Sequence, residues 1–199
     1  MLRLIGTPKA RTLRVMWMLE ELEEPYDLDP APPHGEAILA VNPSGKVPAL
    51  VVDGTVLTES VAICQFLADR AGRLTFPAGT IERAKQDSMT FFAADDLDGI
   101  LWHSAKHSFV LPEELRSSEV RRACEHDLAR SVAALEQRLG DGEYAMGDTF
   151  TVPDILIGHC ASWAINAKFG WPEGKLTDYV NRLWARPAYQ RAHEIRKAS

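Results

Sequence analysis

The chain has 199 residues, of which 46% are apolar and 25% are charged, and its formal net charge is −6. This size suffices for one large or two small domains, and the composition is that of an ordinary soluble globular protein. The negative charge argues against nonspecific nucleic-acid binding, which depends on basic residues that neutralise phosphates. No apolar run reaches the roughly 18 residues needed to span a membrane. We therefore expect neither a nucleic-acid partner nor a membrane partner.

The cysteines and histidines argue against a metal site. Cys64, Cys124 and Cys160 are few and widely spaced, which is typical of free thiols in a reducing compartment and favours a cytoplasmic location. Of the six histidines, only His103 and His107 have the i,i+4 spacing of one helix face. A zinc site needs more ligands than such a pair, so the sequence predicts no metal.

In the first part of the chain, short strands alternate with helices. An apolar strand is predicted over 2–5, and Thr7-Pro8 then has the pattern of a helix N-cap with proline at the first helical position. Apolar residues at helical spacing predict a helix over 9–24, and a strand follows over 26–29.

The next elements complete a small sheet. Strands at 49–52 and 56–57 flank Asp53-Gly54 and predict a hairpin, and a helix over 59–71 ends at Gly72. The order β-α-β followed by β-β-α predicts a mixed sheet with helices on its faces.

From about residue 80 onward the pattern is helical. Two glycines and a proline within 70–79 predict a linker. Thr151 and Asp154 have the spacing of a capping box, and the apolar run 155–169 predicts a central buried helix. The other predicted helices cover 80–106, 113–139, 176–185 and 187–197.

The start of the helix at residue 59 favours an α-amino-acid ligand. A helix N-terminus presents unpaired backbone N–H groups and a positive dipole end, which attract a carboxylate. Glu59 beside it could hold an ammonium group, and Ser60 adds a hydroxyl. The pair therefore predicts a peptide-like ligand with a free γ-glutamyl end.

These motifs together resemble the cytosolic glutathione S-transferase family. The resemblance is carried by Thr7-Pro-x-x-Arg11, by Asn42-Pro-x-Gly-Lys-Val-Pro48, by Glu59-Ser-x-Ala-Ile63 and by Gly147-Asp-x-Phe-Thr-Val-x-Asp154. It covers essentially the whole chain. It implies an α/β thioredoxin-like domain over 1–76, a linker over 77–84, an all-α domain over 85–199, and a homodimer.

The resemblance also implies a glutathione site. Val47-Pro48 would be a cis peptide bond that turns the Val47 backbone toward the cysteinyl unit, as an added strand would. Glu59 and Ser60 would hold the γ-glutamyl ammonium and carboxylate, although simple helix capping, with Thr58 as the actual cap, is the alternative for both.

Two further residues would meet the glycyl carboxylate of glutathione. Lys46 lies in the turn before Val47, and His34 lies at a suitable distance before that turn. The alternative for Lys46 is a solvated turn lysine, and for His34 a surface-loop histidine.

The resemblance places Thr7 where serine acts in theta- and zeta-like members of the family. A hydroxyl can donate a hydrogen bond to the glutathione thiolate, and Arg11 one turn later could support the thiolate or the ligand. Threonine adds a methyl group and restricts the rotamers. The alternative is that Thr7 only caps the helix.

The second substrate is expected in a pocket between the domains. Candidate lining residues, for which ordinary core packing is the alternative, are Trp102, His103, Lys106 and Trp163. We interpret the chain as a cytoplasmic glutathione transferase that acts in detoxification on a small hydrophobic electrophile. A glutathione-dependent isomerase or dehalogenase, and a binding protein without turnover, remain alternatives.

Overall fold

The structure is a computed structural model that describes all 199 residues. Contacts divide the chain into two compact units, one made of residues 1–78 with 183–199 and the other of residues 79–182. Residues 183–199 thus group with the first unit, whereas the sequence analysis placed them with the helical half. None of the helices combines the length and the apolar character that crossing a bilayer requires.

The first unit contains a four-stranded sheet. Its strands are β1 (Leu2–Ile5), β2 (Tyr26–Asp29), β3 (Ala49–Val52) and β4 (Thr55–Thr58), in the order β2-β1-β3-β4. β1 runs parallel to β2 and antiparallel to β3, which pairs antiparallel with β4. The mixed sheet and the hairpin are as the sequence predicts. β1 and β3 are the two central strands, and they carry buried apolar residues. Leu4 on β1 and Leu50 on β3 are completely buried.

Four helices belong to the first unit: α1 (Thr12–Leu22), α2 (Glu36–Leu39), α3 (Ser60–Ala71) and α9 (Pro187–Ala198). The prediction that the first helix begins at residue 9 is wrong. Residues 8–11 form turns instead, and the Ala10 N–H donates to the Thr7 carbonyl at 3.1 Å. Nine of the 11 residues of α1 are buried, and all of these except Thr12 and Arg14 are apolar.

α9 attaches to the acidic end of α1. Glu21 accepts two hydrogen bonds from Arg186, at 2.6 and 2.8 Å, and another from the Trp17 indole at 3.0 Å. Glu20 pairs with Arg191 at 2.6 Å. Negative charges near the C-terminus of a helix interact unfavourably with the helix dipole. The two carboxylates compensate for this by pairing with arginines near the end of the chain.

The second unit is helical. Its α-helices are α4 (Ile81–Phe92), α5 (Ile100–Ala105), α6 (Ser118–Leu139), α7 (Val152–Asn166) and most of α8 (Lys175–Trp184). The helix predicted over 80–106 is present, because residues 81–110 are helical without a break and the Thr80 hydroxyl caps the first turn by accepting from the Arg83 N–H at 3.2 Å. Within it, π-helical segments at Ala93–Gly99 and Lys106–Val110 flank α5, which the sequence does not predict. The helix predicted from residue 113 begins at Ser118, after a short 3₁₀ turn at Glu113–Leu115.

The predicted central helix is confirmed as α7, whose residues 152–161 are all buried. Asp154 accepts a hydrogen bond from the Thr151 N–H at 2.8 Å, which completes the predicted capping box. It also accepts from the Ala145 N–H at 2.8 Å and from the Tyr179 hydroxyl at 2.7 Å. Burial raises the pKa of Asp154 to about 6, although these hydrogen bonds act in the opposite direction.

Candidate functional site

Three backbone segments of the first unit meet around Gly6. Gly6 follows β1, is buried and has a φ of +146°. A Cβ atom there would lie 2.4 Å from Thr12 Oγ1 and 2.9 Å from Val47 Cβ. Only glycine fits this close approach, which brings the end of β1, the start of α1 and the Val47 loop together.

Thr7 lies beside this junction and is half-buried. Its hydroxyl is 3.4 Å from the Lys9 backbone N–H, a long contact for a capping hydrogen bond. α1 itself begins five residues later, after Arg11, which is also half-buried. The structure therefore places the Thr7 hydroxyl before a turn rather than at the N-cap of a regular helix.

The Val47-Pro48 peptide bond is cis, as predicted. Val47 is half-buried and Pro48 is buried. Asn42 shapes the preceding turn, because its side-chain amide donates to the Lys46 carbonyl at 2.9 Å and its oxygen accepts from the Ser44 hydroxyl at 2.9 Å.

The structure brings His34 and Lys46 into one neighbourhood. The His34 N–H donates to the Gly45 carbonyl at 2.8 Å. The imidazole lies so close to Gly45 that a Cβ there would be 2.2 Å from His34 Nδ1, and Gly45 has a φ of +67°. Both His34 and Lys46 are exposed. Two basic side chains far apart in sequence thus border the same turn.

Glu59 and Ser60 stand at the start of α3. Glu59 is exposed, and it has a φ of +67°, which is uncommon for a residue other than glycine. Backbone strain of this kind costs roughly 1–3 kcal/mol and is concentrated at functional sites. Ser60 is the first residue of α3 and is 5% exposed, and the Glu59 side chain makes no capping hydrogen bond. The capping alternative therefore does not explain Glu59.

Arg14 is a residue that the sequence analysis missed. It lies on α1, is 1% exposed, and its Nη1 donates to Ser60 Oγ at 3.3 Å. Its charge also acts on the Cys64 thiol one turn further along α3, although burial dominates there and raises the pKa of Cys64 to about 12. A guanidinium thus lies beneath the first turn of α3. A buried arginine inside an apolar helix face was the available signal, but its partner is 46 residues away.

The residues predicted to line a second pocket lie in the second unit. Trp102 and His103 are on α5, Lys106 opens the second π-helix, and Trp163 is on α7. His103 is exposed and the other three are half-buried. Their role in an electrophile pocket stays a prediction.

Comparisons with known proteins agree on one family. Residues 10–70 match the family described as glutathione S-transferase, N-terminal domain. The chain is 30% identical over 164 residues to glutathione S-transferase GstA of Escherichia coli O157:H7, covering 80% of this chain and 78% of that protein. It is 29% identical over 166 residues to maleylacetoacetate isomerase of Pseudomonas aeruginosa, and the match covers 79% of this chain and 75% of that protein.

A solved structure supports the fold over the full length. A sphingomonad glutathione S-transferase complexed with glutathione is similar with a TM-score of 0.84 and 26% identity, covering 99% of this chain and 100% of that one. The thioredoxin-like sheet followed by a helical region is thereby confirmed.

Proposed function

This chain belongs to the glutathione S-transferase family, and we propose that it binds glutathione and directs the ionised thiol at a small hydrophobic electrophile. The observation that carries this proposal is the start of α3, where an exposed, strained Glu59 precedes a buried Ser60. This arrangement suits the ammonium and carboxylate of a γ-glutamyl group.

Each part of glutathione has a candidate partner in the first unit. The γ-glutamyl carboxylate would accept from the Ser60 hydroxyl and from the first backbone N–H groups of α3, which have no partner within the helix. The cysteinyl unit would pair with the Val47 backbone, in the manner of an added strand. The glycyl carboxylate would lie near His34 and Lys46, which border the same turn.

We propose that Thr7 lowers the pKa of the glutathione thiol by donating a hydrogen bond to the thiolate. A free thiol has a pKa of about 8.5, and each unit of lowering requires about 1.4 kcal/mol. A hydrogen bond to a charged group contributes roughly 1.5–3 kcal/mol, which suffices for one or two units. Thr7 is suitable because its hydroxyl is only weakly engaged and lies next to Gly6, which approaches Val47.

Substitution of Thr7 tests the proposed mechanism. We expect Thr7→Ala to lower turnover with glutathione and a generic aromatic chloride about tenfold or more, while the glutathione dissociation constant changes little. Thr7→Ser keeps the hydroxyl and should retain most of the activity. If Thr7→Ala turns over like the parent chain, the thiolate is stabilised elsewhere.

Substitution of Ser60 tests the glutathione site itself. Ser60→Ala should weaken glutathione binding about tenfold in a calorimetric titration, because the carboxylate loses a hydrogen-bond donor. Thr55, on the exposed strand β4, provides a control, and Thr55→Ala should bind as the parent does. Absence of glutathione binding by the parent chain at millimolar concentration would refute the whole assignment.

A glutathione-dependent isomerase is the second candidate, favoured by the similarity to maleylacetoacetate isomerase. The two candidates share the glutathione site and differ in the second substrate. Assays of maleylacetoacetate isomerisation and of aromatic-chloride conjugation, run in parallel on one preparation, separate them. Binding without either activity would favour a carrier or an enzyme with a narrower substrate.

A further inference from the structure

Three potential metal ligands converge inside the second unit. Asp98 lies on the π-helical segment Ala93–Gly99, and His159 and Cys160 are consecutive on α7, which packs against that segment. One ligand atom from each residue lies within 4.8 Å of the other two, and Cys160 Sγ is 4.0 Å from Asp98 Oδ1. The sequence predicts no metal, because its cysteines are widely spaced and only one histidine pair has helical spacing, whereas this cluster joins two segments 61 residues apart along the chain, from 98 to 159.

The donor set is the kind that zinc binds. Zinc takes thiolate sulfur at about 2.3 Å and imidazole nitrogen or carboxylate oxygen at about 2.0–2.2 Å, in a tetrahedral arrangement. The ligand atoms of such a site are therefore roughly 3.3–3.6 Å apart. A metal would need to draw the present atoms together by about 1 Å. Harder ions that prefer all-oxygen ligands fit the sulfur and nitrogen donors poorly.

Burial and charge favour a cation in this position. Asp98 and His159 are each 9% exposed and Cys160 is 1% exposed. In such a site the Asp98 carboxylate and the Cys160 thiolate would each bind the metal as an anion. One divalent ion would balance the two negative charges, with a neutral imidazole as the third ligand.

We propose that Asp98, His159 and Cys160 form a mononuclear zinc site that links the first π-helical segment to α7. The π-helix supports this assignment, because such segments shift side chains off the regular helical positions and frequently occur at functional sites. Three protein ligands leave the fourth tetrahedral position to water or to a small ligand. The three ligands belong to the second unit, whereas the residues of the proposed glutathione site belong to the first.

The test uses the untagged full-length chain, stripped of metal and titrated with Co²⁺, a spectroscopic substitute for zinc. We expect one Co²⁺ per chain, tetrahedral visible bands, a near-ultraviolet sulfur-to-cobalt charge-transfer band, and displacement of all of these by Zn²⁺. Cys160→Ser should abolish the charge-transfer band. Asp98→Asn and His159→Gln should each weaken binding about tenfold or more.

Cys124 provides a matched control, because it is a buried cysteine of the same unit on a different helix. Cys124→Ser should keep the spectrum of the parent chain. Far-ultraviolet circular dichroism shows whether each variant is folded. If Cys160→Ser is not folded, the test uses the Co²⁺ affinity of Asp98→Asn, and an affinity equal to that of the parent chain would overturn the site. Failure of the parent chain to bind stoichiometric Co²⁺, or a charge-transfer band that survives in folded Cys160→Ser, would overturn the site.

Discussion

Each unit of the molecule buries a charged side chain, but the two charges have different kinds of partner. Asp154 in the second unit is fully buried and accepts hydrogen bonds from Ala145, Thr151 and Tyr179, all of which are buried or half-buried within the helical structure. Arg14 in the first unit is as deeply buried, yet it donates to Ser60, which opens a helix at the candidate ligand surface.

The difference shows that a buried ionisable side chain can serve either folding stability or ligand binding. A buried acceptor whose partners are all internal contributes to folding stability, because removing it strands buried donors. A charge that contacts a ligand-binding side chain can instead orient that side chain and act on the ligand. Asp154 therefore belongs to the framework, whereas we assign Arg14 to the proposed glutathione site. Substitutions at the two positions should consequently separate stability from binding.

The largest expected effect is a decrease in the free energy of unfolding when Asp154 is replaced. Asp154→Ala leaves the Ala145 N–H, the Thr151 N–H and the Tyr179 hydroxyl without their acceptor, at about 1–3 kcal/mol for each stranded group. We expect the free energy of unfolding to fall by about 4 kcal/mol, with glutathione affinity of the folded fraction unchanged. Urea unfolding followed by circular dichroism measures the loss.

The exposed Asp148, in the loop that precedes α7, is the control for that measurement. Asp148→Ala should unfold at nearly the parental urea concentration. A loss below about 1 kcal/mol in Asp154→Ala would mean that the three donors find other acceptors.

The same carboxyl group predicts a pH dependence of stability. Burial raises the Asp154 pKa from 3.8 to about 6, so between these pH values the folded state keeps a proton that the unfolded chain releases. This stabilisation is present below pH 4 and is lost as the pH rises through 6, by about 3 kcal/mol in total. Asp154→Asn has no such titration. The difference in unfolding free energy between the parent and Asp154→Asn should therefore shrink from pH 4 to pH 7, and a constant difference would contradict the raised pKa.

Local motifs could be predicted from the sequence where neighbouring residues determine the structure. The hairpin around Asp53-Gly54 and the capping box at Thr151 each depend on a few adjacent residues. The cis Val47-Pro48 bond was predicted from the family resemblance and not from its neighbours. The start of α1 was predicted too early, because proline at position 8 permits a turn as readily as a first helical residue.

Features that depend on distant residues could not be predicted. The two π-helical segments lie within continuous helix and pack against α6, the first of them also against α7, and the helical periodicity of 80–106 does not distinguish them from α-helix. Arg14 pairs with a residue 46 positions away, and Glu21 with one 165 positions away. The periodicity of a single segment carries no information about such partners.

The first unit also contains an ion pair, between Glu21 and Arg186, that we expect to serve stability as Asp154 does. The Glu21 side chain is 8% exposed and holds Arg186 through two hydrogen bonds, so its partners are internal like those of Asp154. We expect a double-mutant cycle of Glu21→Gln and Arg186→Met to give a coupling of about 1.5 kcal/mol in stability and none in glutathione binding.

The neighbouring pair of Glu20 and Arg191 is the control, because Arg191 is half-exposed. Its cycle should give a coupling close to the error of the measurement, since water and salt screen such pairs. Equal couplings in both cycles would show that burial does not decide the strength of these pairs.

The smallest expected effect is a loss of glutathione affinity when Arg14 is replaced. It is also the effect that says most about function. Its Nη1 donates to Ser60 Oγ, which occupies an acceptor site of the hydroxyl and leaves the Ser60 hydrogen to be donated to a carboxylate. Arg14→Met should therefore weaken glutathione binding about tenfold, or about 1.4 kcal/mol, in the variant that remains folded. Titration calorimetry measures the affinity, and urea unfolding measures the accompanying change in stability. Arg3→Met, at an exposed arginine of β1, should leave the affinity unchanged. If Arg14→Met loses stability but binds glutathione like the parent chain, Arg14 is a framework ion like Asp154, and the proposed distinction between the two units fails.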